Sequence, residues 1–233
     1  MPPGPVVFAY LDEPPFCYPG QGGGAAGSDV ELVAATLSAL GVTSFEARLT
    51  TFAELLPGLT SGRWTLTTTL FITPERQAIV DFSRPVWSLA DGLLVRSGDQ
   101  GRLKSYRAVA SANARLVVVG GQVQEQAGLR AGIAPEKILR VATQEEAVQA
   151  VSDGRADAYA SVAMAHRGHL ARRPDPSLAV VTASDGAPAS GAFAFGRSSA
   201  ALRQRFDDAL VRLLGSEWQR AMMARHGFGA DEY

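Results

Sequence analysis

Arg76 is the first residue here whose type and setting can do recognition chemistry. In Thr73-Pro74-Glu75-Arg76, Thr73 is placed to cap a short helix, Pro74 suits its first position, and Arg76 falls in the first turn. A guanidinium there, beside backbone N–H groups, makes a bidentate carboxylate receptor. The plainer reading is a surface arginine paired with Glu75 or Asp81. Asp12-Glu13-Pro14-Pro15-Phe16 directly follows the first apolar run. In open α/β sheets the loops beyond strand C-termini line the ligand crevice. Glu13 is placed to meet a cation and Phe16 to stack on it; the alternative is a proline-stiffened turn with an exposed acid. Phe52 and Phe71 either complete an aromatic box or belong to the core. Gly120-Gly121-Gln122-Val123 reads as a small nest of backbone N–H groups suited to a carboxylate or amide. It lacks the GxGxxG and GK[ST] patterns, so nucleotide binding does not fit.

Catalytic constellations do not assemble. His166 and His169 fall on an expected helix without a third ligand near in sequence, so they read as a solvated pair rather than a zinc site. Cys17 is the single cysteine. It excludes an intramolecular disulfide and has no histidine near it in sequence to act as base. No G-x-S-x-G elbow occurs. No catalytic residue, metal or cofactor is expected.

These residues need elements to hold them. Residues 6–11 form a short apolar run bounded by prolines, read as a buried strand, and Gly20 to Gly27 as a hairpin tip or mobile turn. Ser28 with Glu31, Thr51 with Glu54 and Thr143 with Glu146 have capping-box spacing and open helices. Strand-like runs stand between them at 45–49, 64–70, 116–119, 158–161 and 178–181. Strands alternating with helices predict parallel βαβ units and an α/β fold. The extended runs Gly92–Arg96 and Ala192–Phe195 read as connections between lobes. They divide the chain into a discontinuous first lobe, 1–96 with 191–233, and an inserted second lobe, 97–190. A closing helix is expected near Ser199–Leu214.

Composition agrees with an ordinary globular chain: 233 residues, 46% hydrophobic and 19% charged. A net charge of −1 supplies no footprint for nucleic acid or an anionic membrane. No apolar run approaches the roughly 18–20 residues of a membrane span. Met1-Pro2-Pro3-Gly4-Pro5 has no charged segment followed by a hydrophobic stretch, so no signal peptide is read there.

Taken together, these segments resemble the family 3 extracellular solute-binding proteins, the polar amino-acid-binding group of ABC importers. Gly27-Ser28-Asp29-Val30-Glu31-Leu32 is similar to a G-x-D-V-D-L helix start, and Phe52 to Leu59 with Gly62-Arg63 to W/Y-x-x-L-I-P-x-L-x-x-G-K/R. Ile72–Arg76 with Asp81-Phe82-Ser83 resembles I-T-P-E-R…D-F-S, Gly154–Ala158 resembles G-R-x-D-A, and the Trp218 helix also fits. The resemblance implies two α/β lobes of periplasmic-binding-protein type II, joined by two crossovers, and Arg76 on the ligand carboxylate. This chain departs from the amino-acid binders at Phe71, where they carry a small hydroxyl residue. It departs again at Ser161 and Val162, near which they place an acid for the α-ammonium. Burying an unpaired ammonium there costs on the order of several kcal/mol, which disfavours an ordinary α-amino acid.

Glu13-Pro14-Pro15-Phe16, Leu70–Arg76, Leu103-Lys104-Ser105-Tyr106 and Gly227–Ala230 are similar to the ectoine/hydroxyectoine-binding subgroup. Phe52, where that subgroup suggests a tyrosine, and Val123, where it suggests a threonine, depart from it. The implied binding set is Glu13, Phe16, Phe52, Thr69, Phe71 and Arg76, with Gly121, Gln122 and Ser161 from the second lobe. The implied role is that of a monomeric, periplasmic or extracellular binding protein, not an enzyme. It would carry a small zwitterion to an ABC transporter permease. An amino-acid binder, a ligand-sensing module and a prephenate/arogenate-type dehydratase with Glu13 as its acid are the alternatives.

Overall fold

The computed structural model describes residues 5–233. Met1–Gly4, which hold most of the stretch read above for a leader, lie outside the described residues. The chain forms two compact units, one ending at Ser88 and resuming at Ala189, the other Leu89–Pro188.

In chain order the first unit opens with β1 (Val7–Tyr10), the hairpin β2 (Tyr18–Pro19) and β3 (Ala25–Ala26), α1 (Ser28–Ser38), β4 (Glu46–Leu49) and α2 (Phe52–Thr60). It continues through β5 (Leu66–Phe71), α3 (Pro74–Gln77), β6 (Asp81–Phe82) and into β7 (Trp87–Leu89), whose last residue opens the second unit. The second unit holds β8 (Asp91–Arg96), α4 (Tyr106–Ser111), β9 (Leu116–Val119), α5 (Gln124–Arg130) and β10 (Ile138–Val141). It closes with α6 (Gln144–Ser152), β11 (Ala158–Val162), α7 (Ala163–Arg172) and β12 (Leu178–Thr182). The chain then returns as β13 (Ala189–Phe195), α8 (Ala200–Leu213) and α9 (Glu217–Arg225).

The first sheet runs β4-β1-β5-β13-β6, with β7 also on β13. Strands β4, β1 and β5 are parallel and β13 is antiparallel to β5. Phe8, Leu66, Phe193 and Phe195 are fully buried, and Phe206 of α8 closes on Phe193 and Phe195 at ring distances of 5.6 and 5.3 Å. The second sheet runs β10-β9-β11-β8-β12. Its core joins Leu93, Val95, Leu116, Val118, Ala158 and Ala160 to Tyr106 and Val109 of α4.

Several expectations are corrected here. Gly92–Arg96 is no connection but lies in β8, paired antiparallel on both sides with β11 and β12. Leu93, Leu94 and Val95 are each 0% exposed, the burial of a central strand. Ala192–Phe195 likewise lies inside β13, between β5 and β6. The crossings therefore fall at Ser88/Leu89 and Pro188/Ala189 rather than after 96 and 190. Ser28 is not a cap. Gly27 holds that position at φ 123, where a Cβ would stand 2.3 Å from the Phe16 carbonyl oxygen, and Ser28 is buried as the first helical residue. Thr51 stands at its N-cap without a side-chain bond, whereas Thr143 does cap α6, accepting from Glu146 N.

The Gly154–Ala158 motif is structural. Asp157 accepts from Arg115 N (2.8 Å), from Arg115 Nε (3.2 Å) and Nη2 (3.1 Å), and from Arg96 Nη2 (3.0 Å). Arg96 also donates to the Val151 and Ala156 carbonyls, tying α6 to β8. Burial alone would raise the Asp157 carboxyl. The Arg115 and Arg96 donors overcome it and hold the pKa at about 2. A group held below its unfolded value of about 3.9 stabilises fully above that pH and loses the contribution as pH falls through the folded value. Asp157→Asn is therefore expected to lower stability at pH 7 by about 1–3 kcal/mol. The deficit relative to the parent should shrink between pH 4 and pH 2, read from urea midpoints across that range.

Candidate functional site

Parallel pairing decides what meets at the first sheet's edge. Tyr10 of β1 is in register with Leu49 of β4, and Phe8 and Ala9 of β1 with Leu66 and Thr67 of β5. The three strands therefore end on the same edge. The segments that leave it carry Glu13 and Phe16, Phe52, and Arg76. Gly191 of β13 pairs with Phe71 at that edge.

Arg76 is 7% exposed. Thr73 caps α3, its hydroxyl accepting from Arg76 N at 3.3 Å, as its place before Pro74 implies. Arg76 Nη1 donates to the Phe71 carbonyl at 2.9 Å, and the Phe52 ring lies 5.4 Å from the guanidinium carbon. Burial lowers the Arg76 pKa to about 10, with Glu75 acting against it, so the group stays cationic at neutral pH. Phe52, expected around the ligand's cation, thus lies against the protein's own guanidinium. There its ring face meets that cation.

Glu13 is half-buried in a tight turn. Its N–H donates to Cys17 O (2.8 Å) and its carbonyl accepts from Phe16 N (3.1 Å). The turn folds Phe16 inward to 5% exposure. Phe16 lies 5.9 Å from Trp87, and Phe71 lies 5.1 Å from Trp87 at 88°, so the three rings form a row with Trp87 in the middle. Phe228, in the Gly227–Ala230 motif, packs edge-on to Phe16 at 5.7 Å. Sequence reasoning missed Trp87. Its position just after Asp81-Phe82-Ser83 was the available signal. Thr69 is placed behind this row: its hydroxyl accepts from Trp87 Nε1 (2.9 Å) and donates to Asp29 (2.7 Å).

In the second unit β9 and β11 are parallel, so Gly121 and Gln122 after Val119 lie at the same edge as Ser161. Gly121 has φ 86, a left-handed conformation that suits glycine. Two of the nest's N–H groups are engaged within the fold, Gly120 N on Val141 O and Gln122 N on Val119 O. Ser161 is 2% exposed in β11, opposite Gly92. In Leu103-Lys104-Ser105-Tyr106, Ser105 caps α4 and the Tyr106 hydroxyl donates to Asp91 at 2.8 Å. His166 and His169 are not a solvated pair. They are 0% and 6% exposed, and His166 Nε2 lies 3.2 Å from the Gly92 carbonyl. Burial drives the His166 pKa to about 3, so the ring is neutral core.

Residues 6–229 match the family model for bacterial extracellular solute-binding proteins, family 3. The chain belongs to that family. Over 97% of its length it is 30% identical to a probable amino-acid ABC transporter periplasmic-binding protein, y4tE, of Sinorhizobium fredii, covering 77% of that protein. Among solved structures it is similar to EhuB in complex with hydroxyectoine, at 29% identity and a TM-score of 0.88, covering 97% of this chain and 89% of that one. The arginine-, lysine-, histidine-binding protein ArtJ of Geobacillus stearothermophilus shares the fold at 21% identity and a TM-score of 0.84, over 96% and 95% of the two chains. The type II binding-protein fold expected from sequence is thereby established.

In this family 3 protein the aromatic row depends on a glycine. A Cβ on Gly191 would stand 2.1 Å from the Trp87 ring. Gly191→Ala is expected to displace the indole and cost about 1–3 kcal/mol. The melting temperature and a shift in tryptophan emission measure both effects.

Proposed function

We propose that the protein is the binding component of an ABC importer and takes a small zwitterion with a delocalised cation. Hydroxyectoine, ectoine or a related compatible solute fits that description. One observation carries the reading: a buried guanidinium, a row of three aromatic rings and the turn that holds Glu13 gather at one edge of one sheet. Arg76 takes the ligand carboxylate, its planar fork matching the anion. Glu13 takes the positive pole, and Phe16 and Phe71 offer ring faces to it. A spread cation suits such faces, whereas a compact ammonium demands more hydrogen-bonded anions. Gly121, Gln122 and Ser161 stand in this reading as further ligand contacts. The protein works as a monomer outside the cytoplasm, delivers its solute to a permease and performs no chemistry. The resemblance to a hydroxyectoine-bound protein supports this reading.

A second reading is an amino-acid-binding protein, favoured by the description of the Sinorhizobium relative. A thermal-shift panel of ectoine, hydroxyectoine and the common amino acids separates the two. A ligand at 100 times its dissociation constant adds about 2.7 kcal/mol of stability. Stabilisation by an amino acid but not by either ectoine would reject the first reading. Arg76→Ala is expected to weaken binding at least about a hundredfold while the protein stays folded. Unchanged affinity by calorimetry would remove Arg76 from the site. Glu13→Gln is expected to weaken cationic solutes about tenfold or more, and equal affinities for parent and variant would remove Glu13.

A further inference from the structure

Behind the aromatic row lies a carboxylate that the proposed function does not use. Asp29, the second residue of α1, is 2% exposed. Its Oδ2 accepts from Thr68 Oγ1 (2.6 Å), Thr69 N (2.8 Å) and Thr69 Oγ1 (2.7 Å). Each hydroxyl has one proton, so both threonines point theirs at Asp29 and are acceptors towards their other partners. The indole N–H is a donor with no choice of direction; the thiol, which can donate or accept, is left to donate because the Thr68 proton is already on Asp29. Trp87 Nε1 donates to Thr69 Oγ1 at 2.9 Å, and the Cys17 thiol donates to Thr68 Oγ1 at 3.2 Å. Two one-way chains, indole to hydroxyl to carboxylate and thiol to hydroxyl to carboxylate, thus end on one oxygen.

Four contacts constrain the indole. Its N–H is held by Thr69, Phe71 meets it edge-on at 88°, Phe16 lies against it at 45°, and Gly191 leaves room where any side chain would collide. A hydrogen bond fixes the rotation of a tryptophan ring that apolar packing alone leaves freer to slide. The rotation of Trp87 sets in turn which faces Phe71 and Phe16 present. Attraction of a cation to a ring needs the charge over the face within about 6 Å.

We infer that Trp87 is a positioning residue for the cation end of the site, held in one orientation by the relay through Thr69 to buried Asp29. The inference rests on the proposed reading of Phe16 and Phe71 as the place of the ligand's cation. It gives Thr69 a different task from the one expected of it: its hydroxyl serves the indole rather than the solute.

Calorimetry with two probes tests this: hydroxyectoine, and 5-oxoproline, a cyclic carboxylate whose ring is neutral. Trp87→Phe keeps a ring and loses the N–H, Thr69→Val keeps the shape and loses the hydroxyl, and Thr69→Ser keeps the hydroxyl. Each of the first two is expected to weaken hydroxyectoine about tenfold, with the double variant little worse than either, because both break one chain. Thr69→Ser should restore most of the affinity, and 5-oxoproline binding should move by less than about twofold. Losses that multiply in the double variant would overturn the inference by placing Thr69 on the ligand directly. Equal losses for the two probes would overturn it by showing a general structural role. A ligand-free reading comes from the Trp87 indole N–H resonance in a Trp64→Phe/Trp218→Phe background, where Trp87 is the remaining tryptophan of three. Thr69→Val is expected to shift it and remove its exchange protection, and an unmoved resonance would remove the relay. Should neither probe bind while the resonance still responds, the solute reading falls. The role of Trp87 in cation recognition falls with it, leaving only a structural contact.

Discussion

A carboxylate at 2% exposure imposes the constraint around which the candidate site is arranged. Burying such a group without donors costs several kcal/mol, and the three bonds onto Asp29 Oδ2 offset that cost. Burial raises its pKa and the Thr68 and Thr69 donors act against the rise. The partners come from separate parts of the chain. Asp29 lies on α1, Thr68 and Thr69 on β5, Trp87 on β7 and Cys17 in the turn after β1. One buried anion thus ties together the segments that carry Glu13, Phe16, Phe71 and Arg76.

The parallel pairing of β4, β1 and β5 gives that arrangement its direction. Parallel strands end on the same edge, so segments far apart in sequence emerge together. The guanidinium, on α3, and the ring row, from the turn after β1 and from β5 and β7, come from different elements but gather at this edge. The second unit repeats the logic with β10, β9 and β11, which bring Gly121, Gln122 and Ser161 to one edge of its own sheet. Family membership is consistent with this division of labour, in which motif residues serve either the frame or the site. Asp157 and Tyr106 belong to the frame, since their polar atoms are engaged by Arg115, Arg96 and Asp91.

Local chemistry is what the sequence determined by itself. Thr73 before Pro74, Thr143 before Glu146 and the alternation of apolar runs with helices were legible because caps, proline and periodicity act within a few residues. They were enough for the α/β class and for placing Arg76 in a helix's first turn. Local signals misled where a close approach intervened. Ser28 has the spacing of a cap, yet the nearness of Gly27 to the Phe16 carbonyl moves the helix start by one residue. Gly92–Arg96 reads as a connection between lobes because pairing on both edges leaves no trace in a short apolar run. Only the tertiary structure decided that Phe52 faces Arg76, that His166 is neutral core and that Trp87 stands between Phe16 and Phe71. The reason is physical: ring contacts, buried hydrogen bonds and desolvation depend on partners tens of residues away, and only folding brings those partners within reach.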